Sequence, residues 1–76
     1  MIVKVKLFAS LRERIGVDET ELRMHAGATA AEGWLAVTDA PMPDNVLVAV
    51  NLEYVDPSHR LNDGDELAFF PPVTGG

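Results

Sequence analysis

The stretch IVKVKLFASLRERIG, residues 2–16, decides the fold, because its apolar residues change period from that of a strand to that of a helix within one short segment. Val3, Val5 and Leu7 fall on one face of an extended chain, with Lys4, Lys6 and Phe8 on the other. From Ser10 the pattern is helical. Ser10 and Glu13 form a capping-box pair, Leu11 and Ile15 are one turn apart, and Gly16 closes a helix of about two turns.

Working outward, DETELRM alternates around Thr20 and Leu22 and predicts a second strand returning toward the first. TAAEGWLAV predicts a second helix: Thr29 and Glu32 make another capping box, and Ala31, Trp34, Leu35 and Thr38 stand at helical spacing. Gly33 weakens that helix by about 1 kcal/mol relative to alanine. Pro41 and Pro43 forbid its extension and predict a loop. VLVAVN reads as a β-branched strand, EYV as a short extended piece, and LNDGDELAFF as a turn at residues 62–64 feeding a last strand. The element order is strand, helix, strand, helix, strand, short strand, strand. Helices packed on one face of a small mixed sheet accommodate it most economically, giving an α+β fold.

The chain has 76 residues, enough for one domain only. A single core of this size supplies about 3 to 5 kcal/mol, so packing must be efficient, and 47% hydrophobic residues provide the material. With no cysteine there is neither a disulfide framework nor a thiolate zinc site, and no side chain can carry sulfur as a thiol. A secretory signal pattern is absent at the N-terminus, and no apolar run approaches the roughly 20 residues of a membrane span. A cytoplasmic protein that binds no membrane is expected. The net charge of −6 argues against nucleic acid as a partner and suits a basic protein surface, though it also simply favours solubility.

If Val3, Val5 and Leu7 face the core, Phe8 lies on the open face of the sheet. In the last strand Leu67 and Phe69 share one side, and Glu66, Ala68 and Phe70 the other. Phe8 and Phe70 are therefore predicted to stand on the face without helices, where an aromatic patch marks a protein interface; alternation leaves open whether helix ends or the tail fold back over them. Beyond Phe70, Pro71 and Pro72 cannot continue the ladder and hold the chain extended as a stiff arm. Gly75 and Gly76 lack Cβ atoms, so their backbone can enter a channel too narrow for other residues, and the Gly76 carboxylate is the reactive group at the tip. A carboxylate becomes electrophilic only when activated, for example as an acyl-adenylate made with ATP.

DGDELAFFPPVTGG at Asp63 to Gly76, with LFASLRERIG at Leu7 to Gly16 and VAVN at Val48 to Asn51, resembles the small, sulfur-carrying subunits of molybdopterin synthase, which are ubiquitin-like β-grasp proteins. The match runs over nearly the whole chain, and the Phe-Phe-Pro-Pro arm distinguishes it from relatives that share only Gly-Gly. The resemblance implies a β-grasp domain over residues 1–70, with about five strands, and a reactive tail over residues 71–76. It implies that an activating enzyme consumes ATP to adenylate Gly76 and that a sulfur donor protein converts the adenylate to a thiocarboxylate. The large catalytic subunit then holds Pro71, Pro72, Val73, Thr74 and Gly75 in its active site while sulfur enters precursor Z to form the dithiolene. The small subunit supplies no catalytic side chain and binds no cofactor or metal, and the complex is a heterotetramer. By motif, Phe8, Tyr54 and Phe70 are the docking residues. The second helix and its following loop are shorter here than is common in the family.

Other residues point to no site. His25 and His59 read as isolated surface or loop histidines without partners at ligand spacing. The acids of NDGDE lack the downstream glutamate of a calcium loop and read as a turn, and Trp34 reads as core or core edge. Three other functions share the tail: a carrier for a thiazole or tungsten-type product, against whose thiazole form Phe69 to Pro72 argue; a protein modifier forming an isopeptide through Gly76; and a binding module with an inert tail.

Overall fold

The computed structural model describes residues 1–72. Five strands and two helices follow the expected order: β1 Ile2–Leu7, α1 Ala9–Ile15, β2 Glu19–Arg23, α2 Ala30–Thr38, β3 Leu47–Val50, β4 Glu53–Tyr54 and β5 Glu66–Phe70. The strands form one sheet in the order β2-β1-β5-β3-β4. The β1–β5 pair is parallel, with Val5 opposite Leu67 and Leu7 opposite Phe69. The other neighbours are antiparallel, which makes the sheet mixed, with the first and last strands side by side at its centre.

One face of the sheet is dry. Val3, Val5, Leu67 and Phe69 are fully buried there, joined by Leu7, Val48 and Val50. Leu11 of α1 and Ala30 and Trp34 of α2 close over them, and Trp34 meets Phe69 edge to face at 5.0 Å between ring centroids. The indole nitrogen of Trp34 is buried and has no hydrogen-bond partner among the described residues. Both helices therefore cover the face carrying Val3, Val5 and Leu7, as the alternation of β1 requires, and leave the other face open.

Two local expectations need correction. Ser10 does not cap α1. The Phe8 amide still bonds to the Phe69 carbonyl at 3.2 Å, so pairing with β5 runs to the helix threshold, and the N-cap is Phe8 with no side-chain cap. Ser10 is left inside the first turn. The chain makes this abrupt change of direction at Ala9, whose φ is +51°. In α2 the inward face is also rotated from the one expected. Ala30, Gly33 and Trp34 are buried, whereas Leu35 is about half exposed and Ala31 and Thr38 are only partly covered. The reason is Gly33: a Cβ there would sit 2.6 Å from Leu67 Cδ2. The glycine lets α2 approach β5 closely, which sets which side of the helix meets the sheet.

The other punctuation holds. Gly16 ends α1 in the left-handed region, its amide bonded to the Arg12 carbonyl at 2.9 Å. The Thr29 hydroxyl accepts from the Glu32 amide at 3.3 Å. The acids of the NDGDE stretch build a turn: the buried Asp65 carboxylate accepts from the Asn62 amide at 2.8 Å and from Asn51 Nδ2 at 2.9 Å, and Asp63 accepts from the Ile2 amide at 2.8 Å.

Candidate functional site

The open face is built by the register of the central strands. Phe8 extends β1 one residue past Leu7, and Leu7 is level with Phe69, so Phe8 and Phe70 come side by side on the outer surface. Their rings stack at 4.6 Å between centroids, inclined by 7°. Across the sheet, β4 places Tyr54 opposite Ala49, and the Tyr54 ring meets Phe70 edge to face at 6.3 Å. The structure thus brings together Phe8, Tyr54 and Phe70, which are distant in sequence. The floor between them is Ala49 and Ala68, a cross-strand pair of small side chains. Small residues there leave a shallow apolar depression of about 180 Å³, below the roughly 300 to 1,000 Å³ of a small-molecule pocket.

Phe8 is 37% exposed and Tyr54 72%. Rings so accessible contribute little to the core, and as a contiguous apolar patch they have the composition of an interface centre. Lys6 and Glu66, on β1 and β5, border the patch and pair at 2.6 Å. Each shifts the other: the bond to Glu66 raises the Lys6 pKa, and the bond to Lys6 lowers that of Glu66. Both stay charged near neutrality, so the apolar centre has a rim of fixed charge.

Two apolar members of this face escaped sequence reading. Leu47 is exposed beside Phe70, its partner in the β3–β5 register, and Leu52 borders the depression from the β3–β4 turn. The hydrophobic run of β3 shows no alternation by itself; only the pairing of Val48 with Phe69 and Val50 with Leu67 reveals that Leu47 and Ala49 point the other way.

Pro71 and Pro72 follow Phe70 directly, Pro71 partly buried and Pro72 exposed, so the arm leaves the sheet from the edge of the aromatic patch. Val73, Thr74, Gly75 and Gly76 lie outside the described residues. His25 is not isolated, contrary to expectation. Its Nε2 lies 2.5 Å from Glu32 Oε2, and its Nδ1 lies 3.0 Å from the Ala26 carbonyl. The Ala26 carbonyl accepts from a protonated Nδ1 and an ionised Glu32 accepts from a protonated Nε2, so the imidazolium is the form of the ring that makes both bonds. The bond to Glu32 raises the His25 pKa, and the bond to His25 lowers that of Glu32. The pair ties the β2–α2 loop to the first turn of α2, away from the open face. Among the described residues no group of three or more His, Asp or Glu could hold a metal ion, and no helix is long and apolar enough to cross a membrane.

The ThiS family model matches residues 5–76. The chain belongs to the ThiS family. Within it, the chain is 44% identical over 85 aligned residues to the molybdopterin synthase sulfur carrier subunit of Escherichia coli (strain K12), covering 99% of this chain and 100% of the relative. It is 39% identical to the protein of the same name from Chlamydomonas reinhardtii, with both chains covered in full. Among solved structures, the small archaeal modifier protein 1 of Haloferax volcanii superposes with a TM-score of 0.80 at 27% identity, covering 95% of this chain and 98% of that one. The ThiS-family chain thus has the ubiquitin-like β-grasp fold, with its five-stranded mixed sheet and two helices on one face.

Proposed function

We propose that this ThiS-family chain is the sulfur-carrying subunit of a molybdopterin synthase, with residues 1–70 as the docking domain and residues 71–76 as the arm that delivers sulfur. The observation that carries this reading is the full-length likeness, at 44% identity, to a sulfur carrier subunit of that enzyme. The open face supports it: an apolar patch of Phe8, Tyr54 and Phe70 lies where the Pro71–Pro72 arm departs. A partner that grips the patch fixes where the arm enters its own active site.

The chemistry belongs to Gly76. Its carboxylate attacks the α-phosphate of ATP on an activating enzyme, releasing pyrophosphate and leaving an acyl-adenylate. A sulfur donor protein supplies sulfur at the oxidation level of sulfide, which displaces AMP and leaves a thiocarboxylate. With Pro71, Pro72, Val73, Thr74 and Gly75 threaded into the large catalytic subunit, the thiocarboxylate sulfur attacks an oxygen-bearing carbon of the pterin precursor and displaces that oxygen, giving a thioester between Gly76 and the pterin. Water then cleaves the thioester, leaving the sulfur on the pterin and releasing Gly76 as the carboxylate. The chain supplies sulfur, and its partner supplies the catalytic groups. Rigid presentation matters because a positioned nucleophile reacts at a high effective concentration; two prolines following a paired strand keep the arm from collapsing onto the sheet.

The likeness to a small archaeal modifier protein favours a second reading, in which a lysine amine displaces AMP from the same adenylate and forms an isopeptide bond. The test uses the chain with ATP, activating enzyme, sulfur donor, large subunit and pterin precursor. Deletion of Gly76 should abolish formation of molybdopterin while leaving the urea midpoint of the domain unchanged. Full activity of the truncated chain would overturn the carrier reading, and lysine-linked conjugates in place of the product would support the modifier.

A further inference from the structure

Leu52 is 90% exposed, the most exposed large hydrophobic among the described residues. A single exposed leucine is ordinary, but its backbone is not. Leu52 follows Asn51 in the two-residue turn between Val50 and Glu53, which pair across the β3–β4 hairpin. Both turn residues have positive φ, +51° at Asn51 and +71° at Leu52. That is the form taken by Asn-Gly turns. Asn51 fits it, whereas Leu52 occupies the position where glycine is relaxed and a bulky side chain is strained. The fold gains no burial from this leucine in return.

The turn is also held firmly. The Asn51 amide donates to the Glu66 carbonyl at 2.8 Å, the Glu66 amide donates to Asn51 Oδ1 at 3.0 Å, and Asn51 Nδ2 donates to the buried Asp65 at 2.9 Å. These bonds fasten the hairpin tip to β5, the strand that carries Phe70, and Leu52 borders the same depression as Phe8 and Tyr54. A strained residue that serves no packing purpose, on a fastened turn beside a docking patch, indicates a functional constraint.

We infer that Leu52 is an apolar peg that extends the docking face and seats in a socket on the large synthase subunit, next to the slot receiving the Phe8–Phe70 stack. The inference rests on the docking reading proposed above. Its occupant is a protein surface with an apolar socket and a basic rim, matching the net charge of −6 and the exposed Glu53 beside the peg. Because the turn is already ordered, seating the peg immobilises little that was free.

The test compares binding of the full chain to the purified large subunit by calorimetry for Leu52→Gly, Leu52→Asn and Phe70→Ala. Glycine and asparagine both tolerate positive φ, so each keeps the turn and removes the apolar peg. Both Leu52 variants should bind about tenfold or more weakly, with urea midpoints equal to or above that of the parent chain. Wild-type affinity in both, with Phe70→Ala weakened, would overturn the peg and leave the docking reading standing. If Phe70→Ala also bound normally, the docking reading itself would fail. Weakening by Leu52→Gly but not Leu52→Asn would assign the effect to turn stiffness and refute the inference.

Discussion

Phe69 and Phe70 are adjacent, chemically identical and on opposite faces of β5, so truncating each in turn separates folding from docking. Phe69 is fully buried and packs edge to face on Trp34 at 5.0 Å. Removing a buried phenylalanine ring costs about 3 to 5 kcal/mol, through lost transfer energy and the cavity left behind. A single core in a domain of this size supplies about 3 to 5 kcal/mol in all, so Phe69→Ala should be largely unfolded at room temperature. Phe70 is only partly covered and stacks on Phe8 at 4.6 Å. Losing that stack costs about 0.5 to 1.5 kcal/mol beyond burial, which leaves the domain folded. The cost should appear in docking, where removal of a central aromatic typically weakens binding by about 1 kcal/mol or more. Urea unfolding followed by circular dichroism, together with calorimetric titration onto the large subunit, reads both effects. A folded Phe69→Ala with an unchanged midpoint would refute the core assignment. A Phe70→Ala variant that bound normally would refute the role of the open face.

The remaining predictions concern packing, polar ties and pH. Gly33→Ala should destabilise the domain by about 1 kcal/mol, since forcing a methyl against buried Leu67 costs about 1 to 3 kcal/mol and exceeds the gain of about 1 kcal/mol in helix propensity; a raised thermal midpoint would contradict it. Asp65→Ala leaves Asn51 Nδ2 and the Asn62 amide without their acceptor, so it should cost about 1 to 3 kcal/mol in urea unfolding, and no change would show these bonds to be replaceable. His25, with its pKa raised by Glu32, stabilises the fold fully below its ordinary value of 6.5 and loses that contribution as pH rises through the higher folded value. Glu32, lowered by His25, contributes above its ordinary 4.5 and loses the contribution as pH falls through the lower folded value. The latch is therefore intact between about pH 4.5 and 6.5. In an NMR titration Glu32→Gln should move the His25 midpoint down toward its ordinary value, and an unmoved midpoint would deny the pairing.

Much of the fold was legible because short-range pattern and tertiary structure agree. The alternation of Val3, Val5 and Leu7 marked the buried side of the first strand, and Leu67 and Phe69 that of the last; together they placed Phe8 and Phe70 on the open face. Misreadings arose where a long-range contact decides a local matter. Ser10 looked like a cap, but the bond from the Phe8 amide to Phe69 carries β1 to the start of the helix. Gly33 looked like a weak point in α2, yet its missing Cβ allows the close approach to Leu67 that turns the helix. His25 looked solitary because its partner lies in the next element. Leu47 and Leu52 were hidden for a related reason: the register of β3 with β5 exposes one, and a turn fastened through Asn51 exposes the other.

Intact mass spectrometry of the chain, after incubation with ATP, activating enzyme and sulfur donor, tests the central proposal most directly. If Gly76 carries the sulfur, the mass rises by the difference between one sulfur and one oxygen, and fragmentation places the change on Gly76. An unchanged mass, with the same activating enzyme and donor shown to be competent on another carrier, would contradict it.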